Sequence, residues 1–459
     1  MKGHRVFRLA ALAWALALGG CGLPIAHTDA GLDLPGNWQA TSVPGEPVDA
    51  DWWRGFGSAE MAGLVETARA GSFDVAAAAA RVRQADALAR MAGAALLPEV
   101  DGTASVERSR TVGYPGLTAY TAGLSASYEL DVWGANRAAR QAAVDVLVAT
   151  SYASDAVMLT LTAGVADTYL RTLALRERVA IARQNLAAGE RILTFVESQY
   201  RAGAATALDL AQQRTLVAQL RQAVALRAQQ AHDSRIALAT LIGRPLQEVV
   251  VAGSGLDGVQ TPSADAGVPA NLFSHRPDVA QAERQLATAD ADVTVARAAM
   301  LPSVTLTASA GVGNDRLRGL FDHPIYDLAA GLTAPIFNAG RLAAGRDLAL
   351  AQREELLANY RASIVAALGD VETALNAIDG VDRQRQAQDE ALTQAQAAVR
   401  LAESRYRAGA ETLLALLDAQ RTLYDAQDQA VQLRLARLQA SVALYKALGG
   451  GWQSVRKTS

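Results

Sequence analysis

Few side chains in this sequence are placed to do chemistry. The five histidines, His4, His27, His232, His275 and His323, are scattered along the chain. No two of them stand four apart, so no helix face offers a metal-binding pair. Gly311 and Gly313 lie in an alternating stretch and lack the continuation of a phosphate-cradling loop. Cys21 is the only cysteine; it excludes an intramolecular disulfide and leaves one thiol, close to the amino terminus, free for a covalent attachment. With no other cysteine and no Ser/His/Asp constellation, the chain is expected not to be an enzyme and to need no metal or cofactor.

The surroundings of Cys21 say what that attachment would be. Lys2, Arg5 and Arg8 precede an apolar run at 9–18 that is too short to span a membrane, so residues 1–20 read as a signal peptide. The run closes in Leu18, Gly19, Gly20, Cys21, which resembles the bacterial lipobox. That resemblance implies a covalent lipid on Cys21 as the first mature residue. The same resemblance, with Gly22 in the next position, implies sorting to the outer membrane. Residues 21–57, with Pro24, Pro35, Pro44 and Pro47, then form a lipid-anchored, extended linker. One acyl anchor gives only marginal attachment, so the remaining chain must supply any permanent hold.

Four stretches with a period of two can do so. At 119–130 the even positions read Tyr120, Ala122, Leu124, Ala126, Tyr128, Leu130, and the odd ones are small or polar. The pattern returns at 304–313 and 325–334, and more weakly at 103–112. About ten residues is the length of a tilted strand that crosses a bilayer. The apolar face carries Tyr120, Leu124, Tyr128, Leu306, Leu328 and Leu332, expected to meet lipid. Thr121, Ser125, Ser127, Thr305, Thr307 and Ser309 face the other way. Apolar windows elsewhere are broken by charge, as 156–166 is by Asp155 and Asp167. No transmembrane helix is therefore expected.

The elements that carry these strands are helices, and they come twice. Ala95-Leu96-Leu97-Pro98 is echoed by Ala299-Met300-Leu301-Pro302, and Asp74-Val75 by Asp278-Val279, both displaced by 204 positions. Tyr200-Arg201-Ala202-Gly203-Ala204 recurs as Tyr406-Arg407-Ala408-Gly409-Ala410. The first structural repeat spans 58–243, with a helix, strands at 103–112 and 119–130, and long helices at 134–200 and 206–242. After an inter-repeat linker at 244–271, the second spans 272–449, with a helix, strands at 304–313 and 325–334, and long helices at 338–407 and 411–448; a tail at 450–459 follows. Proline is absent between Pro115 and Pro245 and after Pro335, where helix can run unbroken. Apolar residues at heptad spacing, Leu417, Tyr424, Val431, Leu438, Tyr445 and Leu210, Val217, Val224, Ala231, Leu238, imply antiparallel coiled-coil packing. Single glycines at Gly203 and Gly409 end the longer helices.

Of the 459 residues, 51% are hydrophobic, 5% aromatic, and the formal charge is -3. So neutral a balance gives no basic face for nucleic acid. Strands in lipid must close into a barrel, usually of about eight strands or more. One chain brings four, so two or three chains must join, and only the larger closure leaves a wet bore. A soluble sandwich with the even face buried is the competing architecture.

Taken together, the Cys21 lipobox, Asp51-Trp52-Trp53, Arg276-Pro277-Asp278-Val279, the Leu-Pro steps at Pro98 and Pro302 and the two Tyr-Arg-Ala-Gly turns resemble the outer-membrane efflux protein family of the TolC type, lipoprotein branch. The resemblance covers nearly the whole mature chain. It implies a mainly α protein with a transmembrane β part: a homotrimer whose four strands per chain form one 12-stranded β-barrel, continued by a long α-barrel across the periplasm. It implies as partners a periplasmic adaptor (membrane fusion) protein, met by the turns at Arg201, Gly203, Thr206, Arg407, Gly409 and Thr412, an inner-membrane pump of the proton-driven kind, and outer-membrane lipid. A gate at the periplasmic end is implied, with Leu414 as apolar constriction, Asp418 as acidic ring and Arg421 as latch. Ala204 and Ala410 depart from the larger aliphatic residue that the family more often has after the glycine.

The function so implied is a passive exit duct for small molecules in a tripartite efflux pump. Type I protein secretion and heavy-metal efflux use similar ducts and stay open as alternatives. A periplasmic coiled-coil scaffold lipoprotein would account for the helices but not for the strands.

Overall fold

The computed structural model describes residues 23–40, 45–113 and 115–453. The expected signal peptide at 1–20, Cys21 and the last six residues of the tail lie outside the described residues. Helices α1 (Ala59–Gly71) and α2 (Phe73–Ala94) precede strands β1 (Glu99–Ser109) and β2 (Leu117–Leu130). Two long helices follow, α3 (Ala135–Arg201) and α4 (Ala207–Ile242). The second copy repeats the order with α5 (Pro277–Ala298), β3 (Ser303–Asn314), β4 (Pro324–Thr333), α6 (Arg341–Arg407) and α7 (Leu413–Ala447).

Side chains at the ends fix where the helices begin. Asp131 receives the backbone N–H groups of Asn136 and Arg137 at 2.9 and 3.0 Å, and pairs with the Arg137 guanidinium at 3.1 Å. A carboxylate there satisfies donors that α3 leaves open and complements its dipole. Thr206 and Asp209 form a reciprocal capping box on α4, and Thr412 caps α7. The helix expected from 338 starts at Arg341, because Asn338 acts as its cap towards the Leu342 N–H while Ala339 and Gly340 take positive φ. At 1.5 Å per residue, the 67-residue α3 and α6 are each ~100 Å long.

The sheet is a four-stranded antiparallel meander, β1-β2-β3-β4. Its strands are offset from the expected ones by up to four residues, most at β1, which begins at Glu99 instead of 103 and ends at Ser109 instead of 112. The alternation on β1 is faint because Gly102 and Ala104 stand where larger apolar residues would mark the face.

Two compact units can be distinguished, and they are not the two sequence repeats. Among the described residues, one holds 23–32 with 80–152 and 280–363, including all four strands; the other holds 33–79, 153–279 and the chain from 364 onwards. Each draws on both copies, since β2 pairs with β3 in the first unit and helix ends from both copies share one core in the second. That core, in the second unit, comprises Ile192, Val196, Leu216, Leu220, Tyr406, Leu413, Leu416 and Leu417. Of the heptad residues, Val217, Leu238, Leu417, Val431, Leu438 and Tyr445 are buried.

Two expectations need correction. The linker at 21–57 ends in a buried 3-10 turn, Trp52–Phe56, where Trp52 stacks on Tyr445 at 5.1 Å. Its earlier part is tied by hydrogen bonds from Thr28 to Asp290 and from Gln39 and Ala40 to Glu372. The linker at 244–271 likewise buries Val249, Val251 and Leu256, and Glu60 receives the N–H groups of Ala252 and Gly253. One 18-residue window of α3 is long and apolar enough to cross a membrane by length and composition alone, although the expectation rests on such windows being broken by charge.

Candidate functional site

The register of the sheet decides what its two faces are. Tyr120 stands opposite Val106 and Asn314, Leu124 opposite Gly102 and Ala310, and Tyr128 opposite Leu306. Leu332 stands opposite Val304, and Leu328 opposite Ala308. Directly paired residues share a face, so every even-numbered strand residue lies on one side. Tyr120, Leu124, Tyr128, Leu306, Leu328 and Leu332 are thus brought onto a single surface, with Leu328 85% and Leu332 71% exposed in the chain.

On the opposite side are Thr121, Ser125, Ser127, Thr305, Thr307 and Ser309, with Ser105 and Thr121 hydroxyls 2.8 Å apart. Five carboxylates share that side: Glu99, Asp101, Glu107, Glu129 and Asp327. No Lys or Arg does. Glu107, Glu129 and Asp327 fall within the strands expected from the sequence, whereas Glu99 and Asp101 lie on the part of β1 that precedes its expected start at 103. Their signal, acids at odd positions only, is present in the sequence.

Both outer edges of the sheet, β1 and β4, are unpaired, and all their residues are exposed. An open edge of ten or eleven residues carries unsatisfied N–H and C=O groups. In lipid these would each cost several kcal/mol.

The helix turns are alike in backbone and unlike in burial. Gly203 and Gly409 take φ +74 and +72, where a side chain would be strained, and nothing lies within 4 Å of where a Cβ would be. Ala204 N–H bonds the Gln199 carbonyl at 2.8 Å and Ala410 N–H the Arg405 carbonyl at 2.9 Å, a Schellman closure in each copy. Arg201 and Arg407 are exposed; Arg407 pairs with Glu403 at 2.6 Å. The hydroxyls of Thr206 and Thr412 are occupied in capping. Tyr200 is 43% exposed, whereas its counterpart Tyr406 is buried edge-on against Phe195.

Beyond the second turn, Leu414, Asp418 and Arg421 lie on one exposed stripe of α7, and Leu413, Leu416, Leu417 and Gln420 on the buried one. Neither Asp418 nor Arg421 has an ion pair among the described residues. Two buried glutamines interrupt the apolar seam. Gln213 donates to the Gly189 carbonyl at 2.9 Å, but its Oε1, like that of Gln420, has no partner among the described residues. Burial pushes the nearby Tyr424 phenol up to about 12. Among the described residues no group of three or more His, Cys, Asp or Glu is placed to share a metal ion.

A sheet with one apolar and one polar face, on long paired helices, has known counterparts. The family model described as "Outer membrane efflux protein" matches residues 64–244 and 268–450, one segment for each copy of the repeat. The chain belongs to the outer membrane efflux protein family. It is 51% identical to the pyoverdine export outer membrane protein OpmQ of Pseudomonas aeruginosa, over 98% of both chains. It is 33% identical to the toluene efflux pump outer membrane protein TtgF of Pseudomonas putida, over 99% of this chain and 98% of that one. Among solved structures, the open-state MtrE outer membrane channel of Neisseria gonorrhoeae superposes with a TM-score of 0.87 at 29% identity, over 94% of this chain and 99% of the other. In this family the protein is an outer-membrane channel of an efflux pump, and its relatives are channel and export proteins, not enzymes. The soluble-sandwich and scaffold alternatives give way to this membership.

Proposed function

We propose that three copies of this chain close a 12-stranded barrel around a shared water-filled bore and form the passive outer-membrane exit duct of a tripartite pump. The observation that carries this is the sheet with two unpaired edges and a register that collects its apolar residues on one face. In lipid the edges must be paired. β1 and β4 run in opposite directions, so β4 of one copy can pair antiparallel with β1 of the next, and the even face then meets lipid all round. Two copies would give about eight strands, whose interior side chains fill.

Family membership supports the rest of the reading. Cys21 carries the lipid that holds the amino terminus at the membrane. The Gly203 and Gly409 turns, with Arg201 and Arg407 beside them, dock on a periplasmic adaptor, which joins the duct to an inner-membrane pump. Leu414, Asp418 and Arg421 form the gate, a role supported by their exposure on one stripe of α7. The unsatisfied Gln213 and Gln420 weaken the seam behind it. The similarity to OpmQ supports small chelating metabolites of the siderophore kind as cargo. Purified in detergent and reconstituted in planar bilayers, the protein should run at three times the mass of one mature chain and conduct ions. A monomer without conductance overturns the reading.

A further inference from the structure

The two helical hairpins of the chain, α3 with α4 and α6 with α7, match position for position. α3 (Ala135–Arg201) and α6 (Arg341–Arg407) have 67 residues each and stand 206 positions apart at both ends. Thr206 and Thr412, which cap α4 and α7, keep the same offset. Equivalent positions are nevertheless covered unequally. Tyr406 lies edge-on against Phe195 with ring centres 5.9 Å apart, in the core that Ile192, Val196, Leu413 and Leu417 help to build. The counterparts of Tyr406 and Phe195 are Tyr200 and Leu401, which are 43% and 65% exposed.

Each hairpin thus has two flanks. Phe195 and Tyr200 are five positions apart on α3, which at 3.6 residues per turn sets them about 140° apart around the helix. Leu401 and Tyr406 are spaced alike on α6. Within the chain, the Phe195 flank of the first hairpin meets the Tyr406 flank of the second. A Tyr200 flank on one hairpin and a Leu401 flank on the other are left over. They are the second half of the same match, and two hairpins that already meet by their other flanks cannot also meet by these. The occupant that fits is the opposite hairpin of another copy. Such a contact is head-to-tail, the kind that closes into a ring.

We propose that Tyr200 of one copy packs on Leu401 of the next, so that the seam within the chain continues between chains and the two kinds of hairpin alternate around the axis. This contact presupposes the ring of copies proposed for the duct and names where the helical part of that ring is fastened. The match also sets the strength of the seam. Ile192, Val196, Leu413 and Leu417 have Ala398, Ala402, Ala207 and Ala211 as counterparts, and alanine buries less apolar area. Tyr200 and Leu401 are therefore large side chains in an otherwise alanine-rich contact, and the seam between copies is thinner than the one inside the chain.

The test uses the full-length protein in detergent with no adaptor present, its size read first by light scattering. A short bis-maleimide should join Tyr200→Cys and Leu401→Cys, carried on one chain, into dimers and trimers that survive denaturation. Phe195→Cys with Tyr406→Cys should be joined inside one chain and run as a monomer. Either cysteine of the first pair alone should give no larger species, and neither should the natural protein, whose only thiol is Cys21. If the cysteine pair does not fold, a benzophenone side chain at position 200 replaces it; its photoadduct should run at dimer size and map to the peptide around Leu401. A trimer without cross-chain product, in which the Phe195 and Tyr406 cysteines are joined, overturns the contact and leaves the trimeric duct standing. A monomer overturns both. Labelling of an added adaptor protein, but of no second copy, by the position-200 probe also overturns the contact and assigns Tyr200 to the adaptor.

Discussion

Asp418 and Arg276 illustrate two ways a charge can matter in this chain. Asp418 faces outward from α7 with no ion pair among the described residues, beside Leu414 at 62% exposure. Brought around an axis, three such carboxylates repel unless hydrated or paired. Replacing Asp418 by Ala should raise the conductance of the isolated channel in planar bilayers; an unchanged value removes Asp418 from the gate. Arg276 is buried and grips Asp278 with two bonds of 2.6 and 2.8 Å, Asp370 at 3.0 Å and the Ala447 carbonyl. Burial pushes the Asp278 pKa up, but the hydrogen bonds and charge of Arg276 outweigh it and hold the carboxyl below 3.8. Its folded pKa lies below the unfolded one, so its stabilisation is present above 3.8 and fades as pH falls through the folded value. Asp278→Asn should therefore cost roughly 1 kcal/mol at pH 7, screened because Asp278 is partly exposed, and nothing in strong acid. Thermal unfolding by circular dichroism at both pH values checks this. The Arg-Pro-Asp-Val motif was visible in the sequence; Asp370 and Ala447 were not, because nothing local announces a partner 94 or 171 positions away.

For the elements, the sheet gives the sharpest expectation. Leu124 lies midway between the Tyr120 and Tyr128 rows on the apolar face, and Ser125 on the other. Leu124→Lys should destabilise the membrane part by ~2–4 kcal/mol, while Ser125→Lys should fold and alter ion selectivity. Denaturant titration in detergent separates the two. The strands were legible wherever large and small residues alternate, as on β2, and blurred on β1, where Gly102 and Ala104 occupy the apolar face. Helix ends were legible through glycine, with Gly203 and Gly409 both found at positive φ. What the repeat could not reveal is that identical turns sit differently. Tyr406 is buried and Tyr200 is not, since of the two only Tyr406 packs against Phe195 and the start of α7.

On the scale of the whole molecule, the polar sheet face has five carboxylates and no cation. A bore lined by it should pass cations in preference to anions. Reversal potentials across a potassium chloride gradient should show this, and Glu129→Gln should weaken it; anion preference would mean that another surface lines the pore. The family and its channel architecture could be read from the duplication and its motifs. The division into compact units could not, because it arises from pairing between copies and leaves no mark on either.

The unbroken ladders also limit how this chain can change length. Pairing runs without a bulge from Glu99 on β1 to Thr333 on β4, so losing or gaining one residue inside a strand turns everything beyond it inside out. Deletions in twos preserve orientation. Epitope tags and other passengers therefore belong between Ser109 and Leu117 or between Asn314 and Pro324, where no pairing has to be kept.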